Sequence, residues 1–179
     1  EKIQEAFKML GGGIWRIGQG QITDDSELST SLLISLLESH ENFNPFKPIL
    51  DNEHIELIMN NIMNYYHKWY NSDPFDCGTT IQSAFHSTVI KNYYQQINHS
   101  AKFNQSSESN GALMRITPLI IYCHKMKNEN LINLVRLDAM LSHPSIIVQE
   151  CNILYSLAIS YLINNPRDMN GAINYTKEY

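Results

Sequence analysis

The sequence predicts an all-α protein. Apolar residues recur at intervals of three and four along most of its length, no useful stretch alternates apolar and polar residues, and Pro- or Gly-bearing segments separate the periodic runs. Leu28, Leu32 and Leu36, joined by Leu33 and Leu37, mark a first helix over about 25–38, and Pro45 and Pro48 end it in a loop. A second helix over 53–70 carries Ile58, Ile62, Tyr65 and Trp69 on one stripe, with Met59, Met63, Tyr66 and Tyr70 beside it. So broad an apolar face is explained by packing.

Pro74-Phe75-Asp76-Cys77-Gly78 interrupts the periodicity, and a short helix over 79–85 follows, then another reaching about residue 97. The polar stretch 98–109 has no period and the weakest claim to order. Helices are expected over 112–125, 129–142 and 145–163. The last of these sets Ile147, Cys151, Leu154, Ala158 and Tyr161 along one side, and residues 169–179 begin one more. A short extended piece is expected near Ile14-Trp15-Arg16-Ile17.

The chain's 179 residues make one domain able to bury a real core, and 43% hydrophobic with 17% charged residues fits a globular protein. A net charge of −5 with scattered Lys and Arg speaks against a nucleic-acid partner, which calls for a basic stripe against phosphates. Cys77, Cys123 and Cys151 form no CxxC pair and are odd in number. They read as reduced, buried thiols of a cytosol-like compartment, so a cytoplasmic location is expected. The longest apolar run, 153–163, is broken by Ser156 and Ser160 and is shorter than the roughly 20 residues of a membrane span. No membrane partner is expected. The chain opens with Glu1 rather than Met and reads as a piece of a longer product.

Chemistry concentrates in Thr23-Asp24-Asp25-Ser26-Glu27. Adjacent carboxylates and a hydroxyl suit a hard divalent cation. The same residues can instead start a helix, with Asp24 as cap and Glu27 closing a capping box. Asp24 and Asp25 do not share a helix face, and the positive end of the helix dipole repels a cation, so a metal here needs further carboxylates. Ser109-Asn110-Gly111 precedes an expected helix over 112–125, where free N–H groups and a close backbone approach suit a phosphate; an ordinary N-cap is the other reading. His143-Pro144 joins two helices, where the histidine either meets a ligand or caps the preceding helix. Asp76-Cys77-Gly78-Thr79-Thr80 either lines a ligand or starts a helix under a Thr cap. Gly11-Gly12-Gly13 lacks the Lys-Ser/Thr of a phosphate loop, and the other six histidines show no zinc spacing.

Four segments, in this order, resemble the ADP-ribosylglycohydrolase family: Gly18-Gln19-Gly20-Gln21-Ile22-Thr23-Asp24-Asp25-Ser26-Glu27, Pro74-Phe75-Asp76-Cys77-Gly78, Ser109-Asn110-Gly111-Ala112-Leu113-Met114-Arg115-Ile116-Thr117-Pro118-Leu119, and Ser142-His143-Pro144. The resemblance implies an all-α orthogonal bundle, here an incomplete single domain over 1–179, with a two-metal centre of Mg²⁺ or Mn²⁺. It implies Thr23, Asp24 and Asp25 as metal ligands, Ser109, Asn110 and Gly111 around the diphosphate, and His143 facing the ligand. Asp24, Asp25 and Glu108 are the implied catalytic acids.

The implied reaction is metal-dependent hydrolysis of the glycosidic bond between ADP-ribose and a protein or small-molecule acceptor. The implied partner is an ADP-ribosylated protein or a small conjugate. The family's initial Gly-Asp-Ala-Leu-Gly-like segment and its terminal Asp-x-Asp-Thr motif are not found here, so half of the metal-ligand set is expected to be missing. A non-catalytic ADP-ribose binder or a structural relative of the crystallin kind is the alternative.

Overall fold

The computed structural model describes residues 4, 8–13, 16–41 and 50–179. Eight helices are present among them: α1 (Asp24–Glu41), α2 (Asn52–Tyr70), α3 (Thr79–Phe85), α4 (Tyr93–Phe103), α5 (Thr117–Cys123), α6 (Asn128–Met140), α7 (Ile146–Asn164) and α8 (Met169–Lys177). No strand occurs among the described residues; Gly12 and Ile17 form one isolated antiparallel bridge. Ile14, Trp15, Pro45 and Pro48 lie outside the described residues.

The leucine period of α1 does what its spacing requires. Leu28, Leu32 and Leu36 are buried against α2 and α5, each burial contributing about 1.5–3 kcal/mol, whereas Leu33 and Leu37 face outward. The stripe on α2 buries Ile58, Met59, Ile62, Met63, Tyr66 and Trp69. Trp69 Nε1 donates to Glu27 Oε2 at 2.8 Å, fastening the end of α2 to the start of α1. α2 also meets α3, α4 and α6, and α7 is packed between α6 and α8. The beginnings of α1 and α3 and the 109–114 segment come together at one cleft.

Three expectations are corrected. Residues 98–109 are ordered: α4 runs through Phe103, and buried Asn104 donates to the carbonyls of Thr80 (2.8 Å) and Ser142 (2.9 Å). Local composition missed this because the partners are distant in sequence. The helix expected over 112–125 begins only at Thr117, and residues 110–115 form turns closed by Met114 N–H to the Asn110 carbonyl (3.0 Å). Pro118 in the first turn accounts for that start.

On α7 the side that carries Ile147, Cys151, Leu154, Ala158 and Tyr161 is largely the outer one. Ile147, Cys151 and Leu154 are exposed, while Gln149, Asn152, Ser156 and Ser160 are buried with Val148, Ile153 and Leu157. Apolar patterning alone cannot find a helix that turns amides and hydroxyls inward. By length and composition α7 is the one helix among the described residues that could cross a bilayer, although those amides and hydroxyls pack against the bundle. Of the cysteines only Cys123 is fully buried; all three are free thiols.

Candidate active site

The approach to α1 uses glycines where the backbone needs positive φ: Gly12 (117°), Gly13 (72°) and Gly20 (74°). Gly12 and Ile17 exchange N–H···O bonds of 2.8 and 3.0 Å, and Gly20 N–H reaches the Met9 carbonyl at 2.9 Å. This folded-back segment leads into Thr23, whose carbonyl accepts the N–H groups of Ser26 and Glu27, both at 3.1 Å. The helix thus begins at Asp24, one residue earlier than an Asp24 cap would give. Glu27 closes no capping box with Asp24, because its carboxylate is bonded to Trp69. Instead Asp24 Oδ1 accepts the Asp25 N–H at 3.1 Å, and Thr23 Oγ1 donates to Asp25 Oδ2 at 3.3 Å.

Asp24 lines a cleft of about 160 Å³ together with Gly78, Thr79, Thr80, Ile81, Ser109, Asn110, Gly111 and Met114. The acidic start of α1 and the 109–111 turn, 84 residues or more apart in sequence, therefore face one space. The undecided segment 76–80 turns out to be both a lining element and a helix start. Gly78 occupies the N-cap of α3 without any side-chain cap bond, so the expected Thr cap is not formed.

Partial burial raises the Asp24 pKa, and the charges of Asp76 and Asp25 raise it further; backbone N–H groups of Gly78 and Asp25 partly offset them. Asp76 is thus a third carboxylate at the site. Its motif was visible in sequence, but its action on Asp24 depends on the loop before α3, through Gly78, lying beside the start of α1. The neighbouring Cys77 thiol is pushed up to about 11 by burial and by Asp24 and Asp76, which keeps it protonated and unsuited to nucleophilic attack.

The opposite wall is fully connected. His143 is buried, with Nε2 2.9 Å from Ser109 Oγ and Nδ1 2.8 Å from Ser142 Oγ. Burial lowers its pKa to about 3, aided by the charge of Arg115. A Cβ on Gly111 would stand 2.7 Å from His143 Cε1, so glycine is what lets the turn lie against the ring. His143 accordingly supports Ser109 and Gly111 from behind and does not line the cleft itself. Glu108 is exposed and stands outside the lining residues. Because residues 110–115 are turns, Ser109, Asn110 and Gly111 do not present a helix N-terminus. A ligand here would meet a turn and its side chains.

Thr23, Asp24 and Asp25 offer hard oxygen donors, and the mutual repulsion felt by Asp24 is the condition a cation relieves. Among the described residues no three His, Cys, Asp or Glu side chains gather closely enough to hold an ion alone. The donor chemistry fits Mg²⁺ or Mn²⁺ with further oxygens supplied from elsewhere.

The sequence profile of the ADP-ribosylglycohydrolase family matches residues 1–179. A protein assigned as an ADP-ribosyl glycohydrolase in Acanthamoeba polyphaga mimivirus is 24% identical over 167 residues, 90% of this chain and 45% of that protein. The ADP-ribosyl-(dinitrogen reductase) glycohydrolase of Rhodospirillum rubrum is 32% identical over 111 residues, 62% of this chain and 31% of that protein. A solved ADP-ribosylglycohydrolase-related protein complex superposes with a TM-score of 0.60 at 22% identity, covering 88% of this chain and 45% of its own, a likeness of fold. The chain thus spans less than half the length of these relatives. With a profile match along its whole length and an all-α architecture shared with that complex, the chain belongs to the ADP-ribosylglycohydrolase family.

Proposed function

We propose that this chain carries the ribose- and diphosphate-binding part of an ADP-ribosyl glycohydrolase, which hydrolyses the bond between the anomeric carbon of ADP-ribose and an acceptor on a protein or small molecule. The observation that carries the reading is the shared cleft of Asp24 and the 109–111 turn. One wall is anionic and suited to a cation and ribose hydroxyls. The other offers hydroxyl, amide and backbone donors at a turn tight enough for phosphate oxygens.

Cleavage of a glycosidic bond builds positive charge on the ribose ring while water attacks the anomeric carbon. Carboxylates on one side of the cleft favour that charge, and a neighbouring carboxylate takes the proton of the attacking water. Thr23, Asp24 and Asp25 would hold Mg²⁺ or Mn²⁺, which when bound supplies Lewis acidity and orients oxygens. Ser109, Asn110 and Gly111 fix the diphosphate, and with it the distance from the anomeric carbon to the acids.

The direct test is release of ADP-ribose from an ADP-ribosylated protein in the presence of Mg²⁺ or Mn²⁺. Asp24→Ala is expected to lower the rate by at least about a hundredfold, in the range lost with a positioned acid–base group. Undiminished release by that variant would refute the assignment. One observation favours a second reading, a binder without catalysis: no complete metal-ligand set gathers among the described residues. Calorimetry of ADP-ribose with and without Mg²⁺ separates the two, because a pure binder takes up the nucleotide equally well under both conditions.

A further inference from the structure

Behind the cleft, Arg115 is fully buried and makes bonds to four acceptors. Its Nε donates to Asp138 Oδ2 (3.2 Å), one terminal nitrogen to the Asp138 carbonyl (2.9 Å), and the other to the Gly111 carbonyl (3.3 Å) and Ser142 Oγ (2.9 Å). Ser142 Oγ then meets His143 Nδ1, and His143 Nε2 meets Ser109 Oγ at the cleft. A guanidinium only donates, so Ser142 Oγ is an acceptor at its first contact.

Two proton arrangements remain beyond it. If His143 carried its proton on Nδ1 and donated to Ser142, the hydroxyl proton of buried Ser142 would lack an acceptor among the described residues, and an unmade buried hydrogen bond is costly. If Ser142 donates to Nδ1, every buried proton of Ser142 and His143 is used: the ring carries hydrogen on Nε2 and donates to Ser109 Oγ. Ser109 then has its oxygen engaged and its own hydrogen free. The acceptors near it, Thr80 Oγ1 and Ser107 Oγ, lie at 3.4 Å, too far to compete well with a ligand oxygen.

We infer that Arg115 sets the direction of a buried relay, Arg115 to Ser142 to His143 to Ser109, and so makes the Ser109 hydroxyl a donor aimed at an anionic ligand oxygen in the cleft. Arg115, Ser142 and His143 are positioning residues acting through Ser109. The choice of a phosphate oxygen as acceptor rests on the proposed ADP-ribose reading; the relay itself does not. The lowered pKa of His143 agrees with this, because a ring that stays neutral keeps one tautomer and one direction.

The test is ¹⁵N NMR of the histidine rings of this chain, with ADP-ribose titrations of the same samples. His143 is expected to carry hydrogen on Nε2 and none on Nδ1. Ser142→Ala is expected to populate the Nδ1–H form and to weaken ADP-ribose binding roughly tenfold, the size of one lost hydrogen bond. Ser109→Ala should lose about as much, and the double variant no more than either, since both act through one contact. An Nδ1–H ring in the wild-type chain overturns the inference without any variant. So does a Ser142→Ala protein with unchanged tautomer, or additive losses in the double variant. Should the wild-type chain bind no ADP-ribose, the proposed function fails, and the ring tautomer alone decides the relay.

Discussion

The two walls of the cleft are built on opposite principles. At the start of α1, Asp24 lies in the cleft, and its partial burial together with the charges of Asp76 and Asp25 makes the carboxyl resist ionisation. Across from them, Ser109 and Gly111 rest on a buried chain of hydrogen bonds that ends in an ion pair, with Tyr66 donating to Asp138 Oδ1 at 2.8 Å and its ring 4.4 Å from the guanidinium carbon of Arg115. The first wall sets like charges against one another. The second is finished before anything binds. The difference teaches where rigidity is placed: the turn that would hold a phosphate is preorganised, and the acids keep their charge available for a ligand.

The contrast is broken most severely at its base. Asp138→Ala leaves the fully buried charge of Arg115 without its carboxylate and Tyr66 Oη without its acceptor, and is expected to cost about 3–5 kcal/mol in urea unfolding. A loss below about 1 kcal/mol would mean that the second wall is no firmer than a surface. Gly111→Ala comes next. Its Cβ would lie 2.7 Å from His143 Cε1, against a ring fixed at both nitrogens, so about 1–3 kcal/mol of overpacking is expected, together with loss of ADP-ribose binding in calorimetry. Gly78→Ala, whose Cβ would meet nothing within 4 Å, is the control and should unfold at nearly the wild-type urea concentration.

How far the two walls were legible in the sequence follows from the same contrast. The helices carried by Leu28, Leu32 and Leu36 or by Ile58, Met59 and Ile62 were readable because burial repeats with the helical turn. The acids were readable as a local run, and Asp76 as part of a motif, but no local signal says that Asp76 acts on Asp24. The firm wall was hardly readable. Arg115 and Asp138 stand 23 residues apart, Asn104 and Ser142 stand 38 apart, and each looks like an ordinary surface residue until the fold buries it with its partner. The family resemblance has His143 facing the ligand; its place behind the Ser109–Gly111 turn follows only from three-dimensional packing.

A smaller effect sharpens the comparison through pH. The unfolded chain protonates His143 near its ordinary value of 6.5, whereas the folded ring takes up a proton only near 3. Between those values the unfolded state holds more protons, so this contribution to stability is intact above pH 6.5 and is lost as pH falls toward 3. The slope from this one group approaches about 1.4 kcal/mol per pH unit at most. Urea midpoints measured from pH 7 to pH 4 on wild type and His143→Gln should diverge, the variant falling less steeply. Parallel curves would show that the ring is not held neutral and that the wall is looser than its hydrogen bonds imply.

The smallest change in stability belongs to the other wall and has the opposite sign. Asp24→Asn removes a carboxylate that is opposed by burial, Asp76 and Asp25, so the metal-free variant should be as stable as wild type or slightly more so, within about 0.5 kcal/mol. Adding Mg²⁺ reverses the ranking. A cation held by Thr23, Asp24 and Asp25 binds only the folded protein and raises its melting temperature with concentration, and the variant should lose that rise. Thermal melts with and without millimolar Mg²⁺ read both halves of the argument. If Asp24→Asn destabilises the metal-free chain by more than about 1 kcal/mol, Asp24 is a structural group of α1, and the acidic wall is no more poised for a ligand than an ordinary helix start.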